Sequence, residues 1–190
     1  MNTPAHLIFA AAAFARPGAR GRNLAALAGG FAPDLSLFLL IGWAKLVAGR
    51  SPHEIFREDY VSPLWQGIFR VDNSIPLWGA LLAAGMVLRR ELLAVFAGAA
   101  LLHLAFDLPL HHSDARPHFW PLSEWVFRSP LSYWNPARHG HLVGAAEVAA
   151  CVALCALLWR RFRSRPARAL IAAGLLAELA PGLIWPLLLG

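Results

Sequence analysis

The chain has 190 residues, 58% of them hydrophobic and 15% charged, with a mean hydropathy of +0.51 and a formal net charge of +6. This balance excludes an ordinary water-soluble domain, and apolar runs near the length of about 20 residues that crosses roughly 30 Å of hydrocarbon recur along it. The sequence therefore predicts an all-α fold, a polytopic helical bundle forming one integral-membrane domain over residues 1–190.

Six transmembrane spans are expected, near residues 4–15, 23–42, 73–88, 91–110, 139–159 and 168–189. The first follows Met1-Asn-Thr-Pro-Ala-His6 with no basic n-region, so Ala13-Phe14-Ala15 is a poor signal-peptidase site and the segment is expected to remain as a helix. In the second, Gly29-Gly30 and Pro33 predict a broken or kinked helix. Between the second and third spans, Ser51–Arg70 mixes charges with Phe56, Tyr60 and Trp65, which predicts one or two short amphipathic helices on the outer interface. The segment after the fourth span carries Phe119-Trp-Pro121 and Ser132-Tyr-Trp-Asn-Pro136, residue types that anchor a chain at headgroup depth. Cys151 and Cys155 lie one turn apart on the fifth span; geometry along one helix disfavours a disulfide, and both read as packing residues.

Basic residues set the orientation, since Lys and Arg in short loops stay cytoplasmic. Arg16, Arg20 and Arg22 follow the first span, Arg89 and Arg90 the third, and Arg160, Arg161, Arg163, Arg165 and Arg168 the fifth. Both termini should then face outward. Because each cluster abuts an apolar span, the positive charge reflects topology and anionic lipid, and no nucleic-acid partner is expected.

That topology brings the polar residues together at the outer face. His6 starts the first span, Asp72 the third, and His139 and His141 the fifth, while Asp107 ends the fourth. His103 and Glu147 each lie eight residues inside a helix end, roughly 12 Å deep, and Asp34 matches that depth if the second span ends near Gly42. Ionisable residues at such depth usually line a polar cavity and carry function. His103 and Asp107, at i and i+4, share one helix face, although a structural His–Asp hydrogen bond would use the same spacing. His111, His112, Asp114 and His118 follow within eleven residues, and imidazole with carboxylate suits Zn²⁺, Mn²⁺ or Fe²⁺. Glu178 reads as a helix-contact residue and His53 as a solvated one.

Thr3-Pro-Ala-His6, Ala32-Pro-Asp34, His103-x-x-x-Asp107 and Phe119-Trp-Pro121, in that order over the first two thirds of the chain, resemble the family of membrane-bound metal-dependent hydrolases related to the LexA-regulated inner-membrane protein of enteric bacteria. The resemblance implies a divalent-metal centre with hydrolytic activity. The chain also departs from that pattern: Pro33-Asp34-Leu35-Ser36 stands where the family has Pro-Asp-x-Asp, and Val71-Asp72-Asn73-Ser74 where it has His-Arg followed by Thr-His-Ser. Two family ligands are therefore missing. Either Asp72, His111 or His118 compensates, or fewer ions bind, or the chain belongs to a divergent subfamily with other chemistry.

On this reading the metal ligands are His6, Asp34, His103 and Asp107, with His111 and His118 beside them, holding one or two ions of zinc, or of manganese or iron. Glu147 or Asp114 serves as general base. Arg116 or Arg138 holds an anionic group of the substrate, with Asp72, His139 and His141 near it. The expected activity is hydrolysis of a small or lipid-like substrate, amphiphilic or a phosphoester, at the outer headgroup level. A small proton- or cation-coupled transporter or channel using Asp34, His103, Asp107, Glu147 and Glu178 is the competing class, but the chain shows no inverted repeat. A haem protein would need two deep histidines, and only His103 qualifies.

Overall fold

The computed structural model describes the backbone of residues 1–189 and the side chains of residues 1–180. Among the described residues the chain is helical, with no strand. Its helices are α1 (Thr3–Phe14), α2 (Arg20–Leu46), α3 (Pro52–Glu54, continued by a π-helical turn Ile55–Asp59), α4 (Pro63–Asp72), α5 (Ile75–Val87), α6 (Glu91–Asp107, continued by a 3₁₀ turn Leu108–Leu110), α7 (Gly140–Arg161) and α8 (Arg165–Leu189).

Local chemistry sets several of these boundaries. Ser51, Ser62 and Ser74 each cap a helix by accepting a backbone N–H three residues on, and a proline follows within the first turn, where its missing N–H costs nothing. Ser51 and Glu54 complete a reciprocal capping box. At the other end of α6, Pro109 cannot continue the α-helical ladder, and the chain tightens into the 3₁₀ turn.

Three helical stretches are long and apolar enough to cross a membrane: Arg20–Leu46, Glu91–Leu110 and Gly140–Arg161; Thr3–Phe14 is a shorter apolar helix. The expected third span starts later than its hydropathy suggests, because Asn73 and Ser74 form the turn between α4 and α5. The expected break in α2 does not occur. The helix runs unbroken through Pro33 and past Gly42 to Leu46, and its last turns carry Ala44 into an apolar cluster with Ile55, Trp65 and Phe69. Segment 51–70 does form short helices, tied to the end of α2 by that cluster and by Arg50, which bonds Glu54, Glu58 and Asp59.

The arginine-bearing loops meet at one end of the bundle. Arg22 Nε donates to the Phe14 carbonyl at 2.6 Å and its guanidinium pairs with Glu91, while Arg161 donates to the carbonyls of Ala12 and Ala15 at 2.7 and 3.2 Å. Helix α1 is the hub, touching α2, α6, α7 and α8. An apolar groove of about 420 Å³, lined by Leu7, Leu27, Leu158, Phe162 and Leu170, opens between α1, α2, α7 and α8.

The polarity is inverted relative to a soluble protein. Phe38, Leu39 and Trp43 of α2, Met86 and Val87 of α5, and Val152 and Leu157 of α7 are exposed, whereas His6, His103, Asp107, Glu147 and Glu178 are buried. Beside larger buried residues such as Ile8, Phe69 and Leu104, the interior holds many small ones, Ala5, Ala10, Ala26, Ala97, Ala99 and Ala100. This composition suits a bilayer, where close backbone approach replaces the hydrophobic drive. Cys151 and Cys155 are buried, unbridged, and packed with Ala5, Ile8 and Leu158.

Two glycines control the approach. A Cβ on Gly29 would fall 2.0 Å from the Phe96 carbonyl oxygen of α6, and one on Gly30 would fall 2.7 Å from Ala10 Cβ of α1. Gly29→Ala is therefore expected to destabilise the bundle by about 1–3 kcal/mol, the usual cost of overpacking. Gly79→Ala, where nothing lies within 4 Å of the added atom, should leave stability nearly unchanged. Thermal unfolding in detergent reports the comparison, and equal midpoints for both variants would contradict the close α2–α6 contact.

Candidate metal centre

Helices α1, α2 and α6 converge on one carboxylate. Asp107, at the last turn of α6, is 5% exposed. Its Oδ1 lies 2.9 Å from His6 Nε2 and 3.3 Å from His111 Nε2, and accepts from the amino group of Met1 at 2.7 Å. Its Oδ2 lies 3.0 Å from His103 Nε2, the i−4 neighbour on the same helix. These four contacts come from three stretches of chain: the start of α1, the body of α6 and the loop just after it.

The His103 ring is oriented from its other side. Its Nδ1 donates to the carbonyl of Gly30 at 2.8 Å, three residues before Pro33 and four before Asp34 in α2. With the proton on Nδ1, a neutral His103 turns the bare Nε2 lone pair on Asp107 Oδ2, and Asp34 Oδ1 stands 3.7 Å from the same nitrogen. Two acceptors at hydrogen-bonding distance repel unless a proton or a metal ion lies between them. A second proton would make His103 an imidazolium, and the ring of His6 lies parallel to it, with centroids 3.5 Å apart and planes within 7°. Stacking disfavours charging both rings, because like charges would then sit face to face in a dry interior.

One ligand atom each from His6, His103 and Asp107 lie within 4.8 Å of one another, so this buried group can hold a metal ion. The donor set fits one: two imidazoles and a carboxylate are a common set for transition metals. The Gly30 carbonyl supplies the outer hydrogen bond that metal-ligating histidines almost always make. His6 Nδ1 is buried without a partner among the described residues, so the ring's one hydrogen bond is from Nε2–H to Asp107 Oδ1 at 2.9 Å.

Around this core the structure places the other sequence-predicted residues unevenly. Asp34 joins it, its Oδ2 accepting from Thr3 Oγ1 at 2.6 Å. The depth argument that tied Asp34 to a helix ending at Gly42 fails, because α2 reaches Leu46 and its extra turns emerge against α3 and α4. His111 also joins, bridging Asp107 to Asp114, with Nδ1 2.9 Å from Asp114 Oδ2. Trp134 Nε1 donates to the same Asp114 oxygen at 3.1 Å. His118 is buried, but its Nδ1 donates to the Asn73 carbonyl at 3.0 Å and its own carbonyl accepts from Ile75, so it ties the 111–138 loop to the α4–α5 turn.

Glu147 stands two residues removed from the core: Met1 bonds Asp107, and Asn2 beside it donates its backbone N–H to Glu147 Oε1 at 2.7 Å. Arg116 stacks on Phe69 at 4.2 Å and hydrogen-bonds the Tyr60 hydroxyl at 3.3 Å, while its buried Nη1 has no partner among the described residues. Asp72 is half-buried beside Ser36 and Arg116, and burial pushes its carboxyl above the usual range. Arg138, His139 and His141 are exposed and form no hydrogen bond to the core. His112 is spent on the Ser129 carbonyl at 2.6 Å.

Sequence reasoning missed Thr3, Gly30, Asn2 and Trp134. Thr3 and Asn2 could have been found from their position beside His6 at the mouth of the first helix. The Gly30 contribution is a backbone carbonyl, invisible to any residue-type pattern. No family model, no curated protein and no solved structure matches the chain, so the geometry carries the functional argument.

The two loop groups paired beside Asp107, His111 and Asp114, have shifted titration. Burial opposes a charge on His111, yet Asp107 and then Asp114 outweigh it and push its pKa up to about 9. Burial likewise raises Asp114, but His111 and Trp134 outweigh it and hold its carboxyl below the usual range. A folded-state pKa raised from 6.5 to about 9 gives stability that is complete below 6.5 and is lost as pH rises through about 9. Chelator-treated protein is expected to melt at progressively lower temperature across that window, with the slope flattened in His111→Gln. Parallel melting profiles for the two proteins would contradict the His111 contacts.

Proposed function

We propose that this protein is a membrane-embedded metal-dependent hydrolase, similar to the family its motifs resemble, acting on an amphiphilic or phosphoester substrate. The observation that carries the reading is the His103 ring, whose Nδ1 is committed to Gly30 while Nε2 aims at the carboxylate it shares with His6. This is the arrangement of a ligand held by an outer hydrogen bond. A six-crossing bundle in a bacterial inner membrane, with interfacial helices over 51–72 and both termini outward, accounts for the apolar exterior and the arginine end. The centre then faces the periplasm.

His6, His103 and Asp107 would hold the ion, zinc being the first choice for two imidazoles and a carboxylate, with Asp34 and His111 completing the set. A bound divalent ion supplies Lewis-acid polarisation of a carbonyl or phosphoryl oxygen and acidifies a water molecule. Asp114, its carboxyl held down by His111, is a poor proton acceptor and orients His111 instead. Glu147 is left as the general base. Arg116, pinned flat on Phe69 with Nη1 free, offers its guanidinium to a substrate anion. For a transporter the acids would have to continue toward the arginine end, and Asp34, Asp107 and Asp114 instead gather around His103 and His111.

Elemental mass spectrometry of detergent-purified protein tests the centre directly. Wild type is expected to retain about one or two equivalents of a transition metal. A His103→Ala, Asp107→Ala double variant should lose it while staying helical, and Asp34→Asn should weaken metal affinity by about 10–100-fold. Folded wild type that binds neither Zn²⁺ nor Mn²⁺ on resupply would sink the hydrolase reading, as would full retention in the double variant.

A further inference from the structure

Glu147 of α7 and Glu178 of α8 are 5% and 2% exposed, and they face one another across the first residues of the chain. Asn2 grips both: its backbone N–H goes to Glu147 Oε1 at 2.7 Å and its side-chain amide to Glu178 Oε1 at 3.3 Å. The second oxygen of each, Oε2, is buried with no donor among the described residues, and Asn2, bonded to both side chains, brings the two carboxyl groups together. A carboxylate only accepts, so two ionised groups in this position leave both oxygens empty. The groups facing the pair are Asn2 and the amino group of Met1 from the start of α1, Asp107 from α6 and Cys151 from α7. Of these only the Met1 amino group is cationic, and it is bonded to Asp107 at 2.7 Å.

We propose that Glu147 and Glu178 form a single proton-binding site, holding one proton between their Oε2 atoms, and that this acid pair is the proton store of the neighbouring polar centre. One O–H···O⁻ bond gives each empty oxygen a partner and removes one of two adjacent buried negative charges. The pair keeps one negative charge, so it accepts a second proton from the centre to become neutral and returns it when the product needs one. Its role as a store rests on the hydrolase reading; the shared proton does not. It also gives Glu178, which the hydrolytic centre leaves unused, a chemical task.

Infrared spectroscopy of the full chain in detergent, chelated to remove metal, reads the proton directly. At neutral pH the wild type should show the C=O stretch of a protonated carboxyl that moves to lower frequency in heavy water. That band should vanish in both Glu147→Gln and Glu178→Gln, because the new amide donates to the remaining carboxylate and replaces the proton. A spectrum unchanged by either substitution would overturn the proposal, and so would a band that appears only when sodium is withdrawn, which would make the pair a metal-cation site. If the variants fail to fold, dicyclohexylcarbodiimide, which attacks protonated carboxyls in apolar surroundings, should label wild-type Glu147 or Glu178, located by peptide mass spectrometry. No label at either position would overturn the proposal without any variant. A band that obeys this pattern in protein unable to bind metal would leave the acid pair standing and remove only the hydrolase reading.

Discussion

Everything at the polar end of this bundle is organised around a buried carboxylate that has more partners than charge. Asp107 Oδ1 accepts from the Met1 amino group and lies 2.9 and 3.3 Å from His6 Nε2 and His111 Nε2, its Oδ2 lies 3.0 Å from His103 Nε2, and it sits where the α-helical ladder of α6 gives way at Pro109. A lone carboxylate in an apolar interior would be strongly destabilising, and removing its partners one by one would approach that limit. The helices are therefore held in register by the need to solvate this charge, since apolar contact alone gains little when lipid tails compete for the same surface.

That solvation works only if the helices come close enough, which explains the glycines and alanines. Gly29 admits the backbone of α6 and Gly30 admits α1, and the same Gly30 then presents its carbonyl to His103. One residue thus serves packing and chemistry together. Any side chain there would push α1 away and lift the His6 ring off its partner. Near Pro33, the Gly30 carbonyl of α2 accepts from His103 of α6.

The sequence made much of this legible. Hydropathy marked the apolar helices, of which three are long enough to cross a membrane, and the i, i+4 spacing of His103 and Asp107 picked out two of the three residues of the buried group. Asp34 was placed by a depth count that α2 does not obey, since the count assumed a helix ending at Gly42. His139 and His141 were chosen because they begin a helix at the same end of the bundle, but end and face are different properties, and both lie outward on the first turn of α7. Pro109 uncoupled the later histidines from the helical period, so nothing in their spacing could tell that His111 turns inward while His112 goes to Ser129 and His118 to Asn73.

Charge balance links the two acidic groups of the interior. If Asp107 takes the Met1 amino group for itself, Glu147 and Glu178 have no cation of their own and must share a proton. If a divalent ion sits among His6, His103 and Asp107, it brings more positive charge than that carboxylate can neutralise, and the surplus acts on Glu147 through the two residues that separate them. Loading the centre would then favour release of the shared proton, and emptying it would favour uptake. The candidate metal centre and the acid pair, joined by Met1 and Asn2, would then act as one electrostatic unit, in which positive charge gained by one favours proton loss from the other.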